Sequence, residues 1–206
     1  MISRKLAIGL LLIFSGIGVN LRAQDMREAL RLYEHGMFSK ARIEFDKIAS
    51  KTDNTDPDGY VVLCDVRQNV PGYDKTMERF LAENPQSPLI SQIRYSHALN
   101  LFDTQNYAEA GKQFAEVNVR RIDKKYRAEY SFKKAYCAFE NALLEEALAG
   151  FKEVDSLPVS DYTAPSRYAV GYIYYDRKDF KEALVWFDKS VKDSRFVDMS
   201  SYYIME

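Results

Sequence analysis

The sequence predicts an all-α fold: an α-solenoid of about five stacked helix-turn-helix hairpins that follows a signal peptide. Two observations carry this prediction. The chain is self-similar with a period near 35 residues, and each period holds two segments whose apolar residues recur at helical spacing. The composition agrees, since 47% of the 206 residues are hydrophobic and only 6 are proline, which excludes disordered and collagen-like chains.

Residues 1–23 have the pattern of a secretory signal peptide. Arg4 and Lys5 form a basic start, and an apolar run from Leu6 to Val19 follows. This run is shorter than the ~20 apolar residues that span a bilayer, so we expect cleavage after Ala23 or the next residue, with an uncleaved anchor as the alternative. No cysteine lies near this point, which argues against a lipid anchor.

The repeat is anchored by a small residue followed four positions later by an aromatic one. The pairs are Ala41/Phe45, Thr76/Phe80, Ala110/Phe114, Ala147/Phe151 and Ala183/Phe187. The small residues mark places where two helices approach closely, and the aromatic rings fill the space around them. Successive pairs are 35, 34, 37 and 36 residues apart, so one structural unit recurs along most of the chain.

Each period reads as two amphipathic helices joined by a short polar turn. Such turns are predicted at 103–106, 140–142 and 176–179. Prolines fall between the periods, where a helix can begin without losing a backbone hydrogen bond. These prolines are Pro57, Pro85, Pro88, Pro158 and Pro165.

The predicted repeat domain covers residues 24–206. Its units lie near 24–56, 57–90, 91–127, 128–163 and 164–197. Residues 198–206 read as the first turns of a further hairpin whose second helix is absent. We therefore expect the N-terminal part of a longer repeat protein, and a short docking helix that closes the solenoid is the alternative.

This pattern resembles the tetratricopeptide repeat (TPR) family, and the leader makes it similar to exported bacterial TPR proteins. The resemblance rests on the period, a small residue at repeat position 8, an aromatic at 17, alanine at 20, an aromatic at 24 and, in the second unit, Pro88 at position 32. It implies a helical-repeat fold with a concave groove that holds a protein or peptide.

Positions 5, 9 and 12 of a unit's first helix lie on one helical face and are aromatic or aliphatic in the third to fifth units, and position 13 is acidic. In the TPR family these positions line the groove, so the resemblance implies a protein- or peptide-binding groove here. The residues are Tyr95, Leu99, Phe102, Asp103, Phe132, Tyr136, Phe139, Glu140, Tyr168, Tyr172, Tyr175 and Asp176. Core packing is the alternative for these rings, because an aromatic stripe at helical spacing is commonly buried.

Several function classes are disfavoured by the sequence. A net charge of −1 with both signs interspersed provides no basic face for nucleic acid. Cys64, Cys137, His35 and His97 are too far apart for a zinc or redox motif, and we expect the two cysteines to be unpaired, with Cys64 buried. No catalytic motif occurs, so no enzyme activity, cofactor or metal is predicted.

The sequence thus predicts a non-catalytic interaction scaffold that is exported, either periplasmic or associated with the outer membrane. It would hold a protein or peptide, meet the membrane only by association, and favour the monomer. Two alternatives remain. The chain could be the N-terminal regulatory or substrate-presenting arm of a longer enzyme or sensor, or a carbohydrate-binding surface protein whose aromatic platforms bind sugars.

Overall fold

The computed structural model describes residues 24–206, so the predicted signal peptide lies outside the described residues. Within 24–206 the chain forms 11 α-helices and two short 3₁₀ turns, and no strand. This confirms the all-α prediction for that part of the chain. The helices are α1 (24–34), α2 (Phe38–Ala49), α3 (Asp56–Arg67), α4 (Tyr73–Glu83), α5 (Ile90–Asp103), α6 (Tyr107–Ala115), α7 (Arg127–Glu140), α8 (Leu144–Ser156), α9 (Thr163–Asp176), α10 (Phe180–Ser190) and α11 (Val197–Met205), with 3₁₀ turns at Val119–Arg121 and Lys124–Tyr126.

The chain divides into two compact units between Ser96 and His97, inside α5. In the first unit α3 packs against both α2 and α4. In the second unit each helix from α6 to α11 packs against the next one along the chain. Short connections between consecutive helices favour such neighbouring pairs, so each unit is built from helical hairpins.

The small and aromatic anchors form the repeated core. Their four alanines are at most 2% exposed, and the aromatic partners at most 5%. Burying one phenylalanine side chain stabilises the fold by about 1.5–3 kcal/mol. A second small residue, at repeat position 8, is needed for the same packing: in the fifth unit this is Gly171, where a Cβ atom would lie 2.8 Å from the Phe187 ring. The five buried rings are Phe45, Phe80, Phe114, Phe151 and Phe187.

The turn inside each described hairpin has one backbone conformation in common. A residue in the left-handed region follows the first helix, and the N–H groups there bond back to the last helical carbonyls. After α7, for example, the Leu143 N–H donates to the Ala138 carbonyl at 2.8 Å. The left-handed residues are Gly36, Asn69, Gln105, Ala142 and Lys178, with φ between 51° and 73°.

Two of the second helices begin with a side-chain cap. The Asn106 carboxamide oxygen accepts the Glu109 N–H at 3.4 Å before α6, and the Asp179 carboxylate accepts the Glu182 N–H at 3.3 Å before α10. Each cap satisfies a donor that the first turn of a helix leaves unpaired. None of the helices in residues 24–206 has both the length and the hydropathy needed to span a bilayer.

Candidate protein-binding surface

A connected row of aromatic rings runs across the first helices of the second compact unit. Phe102 of α5 lies 5.5 Å from Tyr136 of α7, measured between ring centroids, and Tyr136 lies 6.4 Å from Phe139. Phe139 lies 6.1 Å from Tyr172 of α9, which lies 6.0 Å from Tyr203 of α11. Edge-to-face and tilted contacts at these separations are attractive. We call these five residues the aromatic face.

The aromatic face is connected to the buried core through Phe132. Phe132, one turn before Tyr136, lies 6.2 Å from that ring and 5.6 Å from the fully buried Phe151. Tyr107 of α6 lies 5.4 Å from Tyr136 on another side. Phe132 and Tyr136 are half-buried. The rings therefore combine both roles considered from the sequence: they pack inside the repeat and keep part of their surface accessible.

Tyr95 departs from the predicted groove. Its side chain is 1% exposed and lies in the core. Ser91, Ile93 and Ser96, which point to different sides of α5, are also buried, so this part of the helix is enclosed on several sides. Tyr95 is consequently not available to a partner. The nearby Leu99 is half-buried.

The tyrosines of the fifth unit pack against the terminal helix. Tyr203 of α11 lies 4.8 Å from Tyr175 and 6.2 Å from Tyr168, and it stacks on Phe187 at 5.0 Å with an interplanar angle of 7°. Tyr168 and Tyr175 remain half-buried. The rings of the aromatic face that a partner can reach therefore lie on α5, α7 and α9, and Tyr203 of α11 ends the row.

Burial and hydrogen bonding keep the tyrosine hydroxyls of this region protonated. Burial, helped by a hydrogen bond to the Glu140 carboxylate, raises the pKa of Tyr136 to about 12. The Tyr175 hydroxyl donates to Glu206 at 2.6 Å, and this bond raises the pKa of Tyr175 to about 12. The Tyr175 hydroxyl is thus a hydrogen-bond donor to a carboxylate.

The predicted acidic row borders the rings. Asp103, Glu140 and Asp176 are all exposed at the ends of α5, α7 and α9. One of the three holds a cation from the neighbouring repeat, since Lys133 Nζ lies 3.4 Å from Asp103 Oδ1. The border of the aromatic face is therefore negatively charged.

Lys133 is a site residue that the sequence reasoning missed. Its ammonium lies 4.7 Å from the centroid of the Phe102 ring and 3.5 Å from Glu129 Oε1, in addition to its contact with Asp103. The side chain is only 15% exposed. Periodicity offered no signal for this contact, because Lys133 and Phe102 belong to different repeats.

A second concave surface, also unpredicted, lies on other sides of α6, α7 and α8. It encloses about 810 Å³ and is lined mainly by small side chains. A Cβ atom on Gly150 would lie 2.7 Å from Ala135 Cβ, so glycine permits α7 and α8 to approach closely here. The small lining residues include Gly111, Ala115, Ala135, Ala138, Ala149 and Gly150.

The thiols do not form a reactive site. Cys64 is buried, as predicted, and so is Cys137; both are free. Burial raises the pKa of each thiol to about 12, which keeps it in the unreactive protonated form. Within residues 24–206 no three His, Cys, Asp or Glu side chains form a group that could hold a metal ion.

Comparison with known proteins identifies the fold. No protein-family model and no curated protein matches the chain. Among solved structures, MamA AMB-1 matches with a TM-score of 0.62 at 17% identity, over 83% of this chain and 90% of that chain. A mutant of MamA gives a TM-score of 0.63 at 17% identity, over 85% of this chain and 98% of that chain. PilF of Pseudomonas aeruginosa gives 0.55 at 13% identity, over 83% and 75%.

Because the identities are only 13–17%, these similarities establish the fold and nothing further. The protein has a TPR-like helical-repeat fold, which confirms what the resemblance in sequence implied.

Proposed function

We propose that this protein is a non-catalytic scaffold that binds another protein or a peptide through its aromatic face. The row of half-buried rings from Phe102 to Tyr172, bordered by the exposed Asp103 and Glu140, carries the proposal. Tyrosine provides a large contact area with a polar tip and is enriched where proteins bind one another. The charge of the border favours a partner that is not acidic.

We further propose that the scaffold acts outside the cytoplasm, in the periplasm or at the outer membrane. The basic start and short apolar run of residues 1–23 support export. An exported scaffold would meet its partner in the cell envelope, so the partner is best sought in an envelope extract.

Site-specific photo-crosslinking tests the binding surface. A benzoylphenylalanine replaces Tyr172 on the aromatic face or, as a matched control, Val185, which is 46% exposed on α10. We expect irradiation in an envelope extract of the source organism to give one discrete adduct from position 172 and none from position 185. Equal adducts at both positions, or adducts from 185 alone, would count against the aromatic face.

A further inference from the structure

The second compact unit repeats one arrangement three times: a ring near the end of a first helix, followed directly by an acid. The three pairs are Phe102–Asp103, Phe139–Glu140 and Tyr175–Asp176, at the ends of α5, α7 and α9. For each pair, the equivalent position in the following repeat is the seventh residue of that repeat's first helix. These residues are Lys133 of α7, Ala169 of α9 and Tyr203 of α11.

In the first arrangement the protein itself supplies a cation. The Lys133 ammonium lies over the Phe102 ring and within 3.4 Å of the Asp103 carboxylate. A ring face and a carboxylate attract an ammonium group together, the ring through its quadrupole and the carboxylate through its charge. An aromatic ring followed by an acidic residue therefore binds a cation at this position of the fold.

In the third arrangement a ring takes the place of the cation. Tyr203 lies 4.8 Å from Tyr175, edge to face, and covers it. This position is thus closed by α11.

In the middle arrangement the position is open. Ala169 carries only a methyl group, which cannot extend over the Phe139 ring as a lysine does. Phe139 is half-buried, Glu140 is exposed, and in residues 24–206 no Lys, Arg or His nitrogen lies within 4.0 Å of the Glu140 carboxylate. Arg177, at the end of α9, is paired instead with Glu145 at 2.9 Å.

We propose that Phe139 and Glu140 form a subsite for a lysine or arginine side chain of the partner. The inference rests on the proposed function and adds the chemistry of the partner, a segment that presents a cation to the aromatic face. Tyr172 flanks the Phe139 ring at 6.1 Å and would contact the aliphatic stem of that side chain. In this subsite a cation of the partner would contact a ring and a carboxylate, as Lys133 does within the protein.

Peptide selection tests the inference. A display library of random twelve-residue peptides is selected on the purified protein, and binders lost with Tyr172→Ala are kept. In each binder every lysine or arginine is replaced in turn by norleucine, which keeps an aliphatic chain without the charge. We expect one replacement to weaken binding roughly three- to thirtyfold, the combined effect of an exposed cation–π contact and an exposed ion pair.

Variants of the protein then locate the effect. Glu140→Gln should reduce the difference between the lysine and norleucine peptides because the ion pair is lost, and Ala169→Lys should remove it because the protein then supplies the cation. Asp188→Asn, at an exposed position of α10 outside the aromatic face, should leave the difference unchanged. Circular dichroism confirms that each variant is folded. A difference that is undiminished in folded Glu140→Gln overturns the subsite and leaves the proposed function standing. A selection without any binder that depends on Tyr172 overturns the proposed function as well.

Discussion

Burial decides what single side chains of this protein can do. Cys64 and Cys137 are both 0% exposed, and the apolar surroundings disfavour their thiolates. The opposite holds for Lys133, whose side chain is only 15% exposed but whose ammonium is compensated by two carboxylates and a ring. A side chain's neighbours, more than its type, therefore determine its chemistry here.

We expect both cysteines to resist thiol reagents in the folded protein. With a pKa of about 12, either thiol holds roughly a thousandfold less thiolate near pH 8 than an unperturbed cysteine does. Ellman's reagent should therefore react at least about a hundredfold more slowly with the native protein than with protein in guanidinium chloride. Ala149→Cys, at an exposed position of α8, supplies a rapidly reacting control. Native Cys64 or Cys137 labelling at the control's rate would disprove the argument.

Among the secondary-structure elements, the turn that ends each first helix is the most uniform. Only the first described hairpin uses glycine at the left-handed position, while later ones use Asn69, Gln105, Ala142 and Lys178. Residues with a Cβ atom are strained there by about 1–2 kcal/mol. The hairpin geometry is thus maintained by packing of the two helices against this local preference.

The same substitution should have opposite effects at two alanines of one hairpin. Ala142→Gly relieves the left-handed strain at a φ of 59° and should stabilise the protein by about 0.5–1 kcal/mol. Ala149→Gly, inside α8, adds backbone freedom to a helix and should destabilise it by about 1 kcal/mol. Urea unfolding followed by circular dichroism gives both midpoints. A lower midpoint for Ala142→Gly would show that the turn is not strained.

At the largest scale, several tyrosines of the second compact unit contribute to the packing between its neighbouring hairpins. Tyr136 and Tyr168 lie among rings of neighbouring helices, and Tyr162 contacts Phe132 at 5.3 Å. Burial raises the pKa of all three to about 12. In a helical repeat each unit contacts its neighbours, so loss of these contacts would weaken successive hairpins together.

These tyrosines should make the protein sensitive to alkali. A folded-state pKa of about 12 exceeds the unfolded value of about 10, so the protonated form favours the native state. The contribution is complete below about pH 10 and is lost as the pH rises towards about 12. Helicity and tyrosinate absorbance, followed together, should therefore change in the same pH range.

Tyr162→Phe provides the matched variant for the alkaline transition. It keeps the ring and removes one group that must ionise, so the loss of helicity should shift to higher pH. Ionisation of every tyrosine near pH 10 with helicity retained would contradict the assignment of these pKa values to burial.

The sequence by itself determined the helical class, the repeat and the core anchors. Alanine and phenylalanine four residues apart mark a buried stripe in any helical hairpin, and Ala147 and Phe151 are indeed fully buried. The ring row of the aromatic face also follows from helical spacing within α7 and α9. These features are legible because each depends on residues close together in the chain.

Only the tertiary structure decided which predicted groove residues are accessible. Tyr95 is buried because α5 is enclosed on several sides, while Phe139 stays half-buried and the next first helix, α9, has Ala169 at the position where α7 has Lys133. Lys133 covers Phe102 from the next repeat, about thirty residues away along the chain. Periodicity assigns a residue to a face of its own helix, but accessibility and ion pairing depend on what the neighbouring helix places against that face.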